Sequence, residues 1–402
     1  MLVALGPDHQ PAVSYAWLMT SAQRVIDVDT HITEPPDTWT ARMASKWGDA
    51  IPRIERVGEF DMWMVNGQPY SKPGNTAMAG FDGTLPDGPK TYEEMPRAAW
   101  DPRARAEFMD ANGVQAQVLY PNLGGFGAGA WVDHGDLRFA TEAVQAYNDF
   151  QVDFAAEAPG RFLPITSLPF WDVPATVDEI ERCVGLGHRG INFCNSPEKF
   201  DQPHLWDTHW DPIWSTARDC GVPVNFHIGG GRIGEQFAIG GSMGFRANFS
   251  RISSLIFLDN LTCIANLIHG GVCHRFPDVD FVSVESGIGA LPAFLEAMDW
   301  QWRNGGVAGE HPEYDLLPSE YFRRQIYGCF WYERDHVIAA IEAYPENMMF
   351  ETDFPHPTCQ HPGPATPAVG PQRYIAETLS ALSDETRAKV LSGTAARLYR
   401  VE

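Results

Sequence analysis

The sequence predicts a (β/α)8 barrel, and two observations support that prediction. Eight short apolar runs recur along the 402 residues, with segments of helical pattern between them. The runs are continuously apolar instead of alternating with polar residues, which is typical of parallel strands buried on both faces. Eight strands that alternate with helices are typical of a closed barrel of parallel strands. A doubly wound open sheet is the alternative fold.

The eight predicted strands follow one another at intervals that leave room for a helix. They lie at residues 25–29, 117–120, 162–166, 190–193, 222–226, 281–284, 326–329 and 348–350. Helical patterns of apolar residues occupy several of the intervals, at 140–157, 177–185, 210–219 and 336–343.

A bare barrel needs roughly 250 residues, so this chain has room for additions. We predict an N-terminal extension at 1–23 and one barrel domain at 24–402. The largest addition is an inserted lid at 32–103, with a hairpin at Asn66-Gly67 and a Gly/Pro-rich run at 72–90. A Gly-rich loop at 229–254 follows the fifth strand. Long loops after strand ends are where barrel enzymes place substrate contacts.

Composition excludes several classes of protein. The net charge is −23, which argues against binding to nucleic acid or to an anionic membrane surface. The apolar stretches are interrupted by charge, Gly or Pro, so we expect no membrane span. The first residues lack the basic segment of a signal peptide, and the seven cysteines form no C-x-x-C pair. We therefore expect a cytoplasmic protein with reduced thiols.

Polar residues gather where four of the predicted strands end. Asp29 and His31 end the first strand, and alternate residues of a strand share one face. His227 follows the fifth strand, Glu285 the sixth, and Asp353 the eighth. These ends converge on the carboxyl-terminal face of a barrel, where such a mixture of imidazole and carboxylate has the composition of a divalent-metal site.

The motifs that contain these residues resemble the amidohydrolase-related family, in the branch of aminocarboxymuconate-semialdehyde decarboxylase and aromatic-acid decarboxylases. The resemblance runs from about residue 24 to the C-terminus. The segments that establish it are IDVDTHITEPPDTW (26–39), FMDANGVQAQVLYP (108–121), GVPVNFHIGG (221–230), RFPDVDFVSVESGIGALPAFLEAMD (275–299), ETDFPHP (351–357) and LSGTAARLY (391–399).

The resemblance implies roles for single residues. It implies that Asp29, His31 and His227 are metal ligands, and that Asp353 binds metal and also moves protons. Two positions depart from the decarboxylase pattern. Strand one has Asp-x-His in place of His-x-His, and the motif of strand six has Glu285 in place of a catalytic His.

These departures make the site more anionic and favour Mn²⁺ or Fe²⁺ beside Zn²⁺. Glu34, Glu285 and His269 would supply enough ligands for two ions if they reached the centre. Glu285 is a ligand of a second metal, a general base, or the partner of Arg275 in a salt bridge. His269 ends a helical pattern, which more often marks a helix terminus than a ligand.

Several residues are candidates for substrate contact. His356 lies three residues beyond Asp353, and Trp63 and Tyr70 of the insertion could wall a planar substrate. Arg53, Arg56 and Arg97 could each pair with a substrate carboxylate. No glycine-rich phosphate motif is present, so we expect no nucleotide cofactor.

Three functions are consistent with the sequence. The first is a metal-dependent hydrolase or decarboxylase of a small carboxylated or aromatic substrate, with Asp353 and Glu285 as catalytic residues. The second is a dinuclear non-haem iron or manganese monooxygenase on the same barrel. The third is a non-catalytic metal-binding subunit of a paralogous enzyme. We expect a homodimer or a hetero-oligomer with a paralogue.

Overall fold

A computed structural model describes residues 24–232 and 241–402. The predicted N-terminal extension at 1–23 lies outside the described residues. Eight parallel strands form one sheet, in the order of the chain apart from the inserted strands. The strands are β1 (Val25–His31), β5 (Val114–Tyr120), β6 (Phe162–Ser167), β7 (Gly190–Asn192), β8 (Val224–His227), β9 (Phe281–Val284), β10 (Ile326–Phe330) and β11 (Met348–Phe350). All eight predicted strands are present, and the predicted barrel is confirmed.

The sheet closes into a ring through a short seam between β1 and β11. Thr30 forms a parallel bridge with Phe354, just beyond the end of β11. The His31 amide donates to the Phe354 carbonyl at 2.7 Å, and the Asp353 amide donates to the Asp29 carbonyl at 3.0 Å. The seam therefore lies at the carboxyl-terminal mouth of the barrel.

Helices surround the sheet. They are Pro102–Asn112, Leu137–Ala156, Val173–Gly185, Asp211–Cys220, Phe245–Leu255, Phe257–His269, Val272–Arg275, Leu291–Asn304, Val307–Glu310, Pro318–Gln325, Val337–Ala343, Pro371–Thr378, Asp384–Ala388 and Thr394–Tyr399. Short 3-10 turns and one π-helical turn link them. These lie at Ser45–Ala50, Pro73–Thr76, Arg97–Ala99, Gly129–His134, Pro197–Phe200, Thr208–Trp210, Gly241–Met243, Leu379–Ala381 and Lys389–Gly393.

Local sequence determines where several helices begin and end. The carboxylates of Asp101, Asp136 and Asp172 each accept a backbone N–H in the first turn of a helix. Such caps satisfy amides that have no partner within the helix. Gly113 ends the helix that Asp101 begins, with φ of 67°, because glycine adopts the left-handed conformation at little cost.

The expectation of no membrane-length apolar stretch is wrong by length and composition. The helices Phe245–Leu255 and Phe257–His269, between β8 and β9, run on from one to the other, and this stretch is long and apolar enough to span a membrane. Its buried residues include Ile264 and Leu267, which belong to the main core. Buried Asn260 donates to the Phe226 carbonyl and the Val284 carbonyl. The stretch therefore has the contacts of a barrel helix held against β8 and β9.

The insertion after β1 forms a small antiparallel sheet of its own. Its strands are β2 (Arg53–Val57), β3 (Phe60–Val65) and β4 (Gln68–Ser71). The hairpin expected at Asn66-Gly67 joins β3 to β4, and both turn residues have positive φ. Strand β2 was not predicted, because its three charged residues leave only two apolar residues in the strand.

Candidate metal centre

Five ionisable side chains from four strand ends meet at the mouth of the barrel. Asp29 and His31 lie on β1, His227 ends β8, Glu285 follows β9, and Asp353 lies three residues beyond β11. All five are buried, and Glu285 is the most exposed at 8%. The structure thus brings together the residues that the sequence placed at four strand ends.

The ligand atoms of this cluster are close to one another. Asp29 Oδ1 lies 3.5 Å from His31 Nε2 and 3.5 Å from His227 Nε2. His227 Nε2 lies 3.6 Å from Glu285 Oε2. One ligand atom from each of these four residues lies within 4.8 Å of the others, a spacing that a single ion can occupy. Imidazole with carboxylate is a ligand set for Zn²⁺, Mn²⁺ or Fe²⁺.

Hydrogen bonds orient both imidazoles towards a common point. His31 Nδ1 lies 3.1 Å from the Pro121 carbonyl, and His227 Nδ1 lies 2.8 Å from the Ile228 carbonyl. A carbonyl only accepts, so each Nδ1 carries the proton and each neutral ring presents a lone pair at Nε2. The two Nε2 atoms are 3.1 Å apart. Two lone pairs at this distance repel each other unless a cation or a proton lies between them.

The electrostatics of Asp29 and His31 also fit a cation. Within the described residues, neither buried carboxylate oxygen of Asp29 accepts a hydrogen bond. Burial raises the pKa of Asp29, although His227 opposes the effect. Burial also lowers the pKa of His31 well below its ordinary value, and His356 and His227 add to the effect. A divalent ion would give the carboxylate and the imidazole lone pair the partner that they lack.

Asp353 belongs to a second, overlapping group of ligand atoms, with His31, Glu285 and His356. The Thr358 hydroxyl donates to Asp353 Oδ2 at 2.8 Å. Asp353 Oδ1 lies 3.7 Å from His31 Nε2 and 2.7 Å from His356 Nδ1. The Asp353 carboxylate therefore lies between the candidate ion site and the His356 ring.

The contacts of His356 restrict where its protons lie. Its Nε2 is 2.7 Å from Asn122 Oδ1, while Asn122 Nδ2 donates to the Ile32 carbonyl. This orientation of the amide makes Nε2 of His356 the donor. At 2.7 Å, an unprotonated Nδ1 and an ionised Asp353 would repel each other. The contact is favourable when one of the two groups carries a proton.

Two of the carboxylate residues have strained backbones. Glu285 has φ of 54° and Asp353 has φ of 56°, both in the left-handed region. Residues other than glycine adopt this region at a cost of about 1 kcal/mol or more, and such strain is concentrated at functional sites. The strain turns each chain sharply at its strand end, where the carboxylate joins the cluster.

Three further residues of this region were not among the predicted site residues. Asn122 holds His356, and the ring centroid of Phe126 lies 4.4 Å from that of His227. Glu351 is fully buried and accepts the Glu285 amide at 3.2 Å. Burial, together with Asp29, raises the pKa of Glu351 well above its ordinary value. The two-residue spacing between Glu351 and Asp353 could have revealed Glu351, whereas no motif marks Asn122 or Phe126.

Two of the suggested additional ligands lie elsewhere. Glu34 Oε1 accepts the amides of Asn122 and Leu123 at 2.7 and 2.9 Å, and Glu34 belongs to neither ligand group. His269 is exposed at a helix end, with its Nδ1 at 3.1 Å from the Ala265 carbonyl. Glu34 therefore lies outside both ligand groups, whereas His269 lies at the helix terminus that its helical pattern favours. The suggested partner of Glu285, Arg275, pairs instead with Asp211 at 3.1 Å.

Among the substrate candidates, only His356 reaches the cluster, where its ring stacks on His31 at 3.7 Å between centroids. Trp63 is 2% exposed and packs edge-on against Trp39 in the main core. Tyr70 is 44% exposed and lies beside His134. The structure therefore places Trp63 in the core and Tyr70 at the solvent surface, and the suggestion that these two aromatic residues wall the substrate stays a prediction. The three arginines of the insertion pair with acidic neighbours: Arg53 with Glu55, Arg56 with Asp61, and Arg97 with Asp101.

The barrel and its histidine–carboxylate cluster define a class of metal-dependent enzymes. The sequence profile of the amidohydrolase family matches residues 26–401, so the chain belongs to that family. It is 25% identical over 325 residues to the 2-amino-3-carboxymuconate-6-semialdehyde decarboxylase of Dictyostelium discoideum, covering 76% of this chain and 78% of the relative. It is also 25% identical over 280 residues to a gamma-resorcylate decarboxylase of Rhizobium sp., covering 64% and 77%.

Solved structures share the fold. An amidohydrolase from Mycobacterium avium subsp. paratuberculosis superimposes with a TM-score of 0.70 at 21% identity, covering 94% of this chain and 99% of that chain. A dihydroxybenzoic acid decarboxylase from Polaromonas, which holds bound manganese, superimposes with a TM-score of 0.60 at 18% identity and covers 94% and 97%. The likeness extends over nearly the whole described barrel.

Proposed function

We propose that this protein is a metal-dependent decarboxylase of a small aromatic carboxylic acid. The observation that carries the proposal is the position of Asp353, whose Oδ1 lies beside both His31 Nε2 and His356 Nδ1. This places a proton-bearing pair next to a candidate ion site. The decarboxylases among the relatives support the choice of reaction.

We assign the ion to Asp29, His31, His227 and Glu285, with Asp353 at the edge of the site. When bound, a divalent ion supplies positive charge that stabilises negative charge on the substrate. Burial, Asp353 and Asp29 raise the pKa of Glu285 well above its ordinary value, so Glu285 binds an ion only at the expense of its proton. Manganese in the Polaromonas relative supports Mn²⁺ as the first ion to test.

The Asp353–His356 pair is the general acid of the proposed reaction. A proton moves from this pair to the ring carbon that bears the carboxylate. The bond from that carbon to the carboxyl group then breaks, its electrons restore the aromatic ring, and carbon dioxide leaves. His356 is 6% exposed, which gives the pair an edge through which solvent replaces the proton.

The surroundings of the cluster favour this chemistry. The Phe126 ring lies 4.9 Å from His31 and 5.6 Å from His356 between centroids. This ring puts apolar aromatic surface beside the cluster, against which a planar aromatic substrate would pack. Electrostatic contacts among the buried residues are stronger than they would be in water.

The test uses the purified full chain loaded with Mn²⁺ and supplied with 2,6-dihydroxybenzoate and related hydroxybenzoates. We expect release of carbon dioxide and the decarboxylated phenol from at least one of them, and loss of turnover after chelation. Hydrolysis of an amide or ester without decarboxylation of any aromatic acid would contradict the proposal. Oxygen consumption with two bound iron ions would favour the monooxygenase alternative, which the comparisons do not support.

A further inference from the structure

A second feature of the mouth is a cavity of about 270 Å³, here called the mouth pocket. Residues that line it include Met78, Phe81, Arg246, Phe249, Pro357 and Cys359. Its walls come from three segments, which are the insertion after β1, the helix Phe245–Leu255 between β8 and β9, and the loop after β11. These segments follow β1, β8 and β11. The same strands carry Asp29, His31 and His227, and Asp353 lies just beyond the last of them. Its volume lies just below the range of roughly 300–1,000 Å³ found for small-molecule sites.

The mouth pocket adjoins the metal centre through the loop after β11. Pro357 lines the pocket and directly follows His356, which stacks on His31. The Cys359 amide donates to the His356 carbonyl at 3.2 Å and closes a turn between the two sites. The amides of Met78 and Ala79, which also line the pocket, donate to the Pro355 carbonyl at 2.8 and 3.1 Å. The insertion is thereby attached to the loop that holds the proposed acid.

The chemistry of the mouth pocket suits a planar anion. Met78, Phe81 and Phe249 provide apolar and aromatic surface. Arg246 provides a guanidinium group, whose NH2 nitrogen lies 3.4 Å from Asp87 Oδ2. Both side chains of this ion pair are about 70% exposed, at 69% and 72%. Water and salt screen such a pair, so a ligand carboxylate can replace Asp87 at little cost.

We propose that the mouth pocket binds the far end of the substrate and selects aromatic acids that carry a second anionic group, with Arg246 as its partner. This inference rests on the proposed function, since it extends the same site. In a chain with a net charge of −23, a positive group in the wall of the mouth pocket also offsets the repulsion of a dianionic ligand.

The test measures binding without turnover, by calorimetry on the Mn²⁺-loaded full chain. The probes are benzene-1,3-dicarboxylate and benzoate. We expect the dicarboxylate to bind about tenfold more tightly, as one added charge-assisted contact predicts. Arg246→Gln removes that preference, and Asp87→Asn, which frees Arg246, increases it. Ala365→Phe fills the pocket from an exposed position in its wall and weakens binding of the dicarboxylate at least as much as Arg246→Gln does.

Arg303→Gln is the matched control, since it removes the same charge from an exposed position on the helix Leu291–Asn304. Equal affinities for the two probes would overturn the inference. So would an unchanged preference in Arg246→Gln, or unchanged binding of the dicarboxylate in Ala365→Phe. If the binding pattern holds but no aromatic acid is decarboxylated, the proposed function fails and the mouth pocket stands as a binding site.

Discussion

His31 Nε2 and His227 Nε2 face each other at 3.1 Å, and each ring donates through its other nitrogen to a backbone carbonyl. The two histidines lie on β1 and β8, which are the first and fifth strands of the eight-stranded ring. An ion between them would therefore join opposite sides of the barrel. The two hydrogen bonds to backbone carbonyls specify the tautomer of both rings before any ion binds, so little reorganisation of the rings accompanies ion binding.

Replacing His227 with Ala removes one of these opposed ligands, and we expect the affinity for Mn²⁺ to fall by about 100-fold or more, since even residues that only support ligands are worth 10- to 100-fold. Metal analysis after dialysis against a metal buffer measures the change. His269→Gln is the control, because His269 is an exposed histidine at a helix end. Equal metal loss in both variants would contradict the assignment.

Asp353→Asn removes the carboxylate of the proposed acid. We expect kcat to fall by roughly 10²- to 10⁴-fold, the usual contribution of a positioned acid or base. Bound metal should change much less, because Asp29, His31, His227 and Glu285 form a ligand group without Asp353. Steady-state kinetics on the metal-loaded variant decide the matter, and turnover at the wild-type rate would exclude Asp353 as the acid.

His356→Gln removes the imidazole through which we propose that protons pass between solvent and Asp353. We expect kcat to fall by about 10²-fold, at the lower end of the range for proton transfer, while KM changes little. The exposed His336 supplies the control, His336→Gln, in which kinetics should match the wild type. A rise in KM with kcat unchanged would assign His356 to substrate binding only.

The buried carboxyl group of Glu34 should make the free energy of unfolding depend on pH. Burial raises its pKa from 4.5 to about 7 in the folded chain. Between those values the folded state holds a proton that the unfolded state has lost, so stability falls as pH rises from 4.5 towards 7. Glu34→Gln removes this loss, and its free energy of unfolding relative to wild type should increase by about 3 kcal/mol over that interval.

Urea denaturation of both metal-free proteins at pH 4.5, 6 and 7.5 measures the difference. The comparison between the two proteins cancels the other groups that titrate in this range. A constant difference at all three values would show that Glu34 titrates normally in the folded chain.

Substitutions of Trp63 and Tyr70 distinguish a role in core packing from a role in substrate contact. Trp63→Ala should lower the free energy of unfolding by about 3–5 kcal/mol, because it empties a core position beside Trp39. Tyr70→Ala should change it by about 0.5 kcal/mol or less, as at most exposed sites. Denaturant titration checks both values. An increased KM in Tyr70→Ala would support direct contact between Tyr70 and the substrate.

The barrel could be predicted from the sequence because its strands are short apolar runs, each buried on both faces. The gathering of candidate ligands at the ends of β1, β8, β9 and β11 could be predicted for a related reason, since parallel strands bring their ends to one mouth. His356 was found through its spacing from Asp353. The location of each of these residues follows from its place along or just beyond a single strand, and that place can be read directly from the sequence.

Other residues could not be predicted, because their positions depend on contacts between distant segments. Glu34 resembles a ligand by its spacing from His31, yet two amides beyond β5 take up its carboxylate. Trp63 resembles a lid residue, but the small antiparallel sheet of the insertion turns it into the core. Arg246 lies beyond a Gly-rich loop, and its approach to the insertion is visible only after the chain folds.

The seam that closes the barrel uses the backbone of the residues whose side chains form the candidate metal centre. The Asp29 carbonyl accepts the Asp353 amide, and the His31 amide donates to Phe354. Opening the seam therefore moves the β1 segment that carries Asp29 and His31, two of the four assigned ligands. A bound ion that holds these two residues to His227 and Glu285 would oppose that opening. We expect hydrogen exchange of the His31 and Asp353 amides to slow when metal is added. We also expect the rate of metal dissociation to match the rate of local opening of this seam and not the rate of global unfolding.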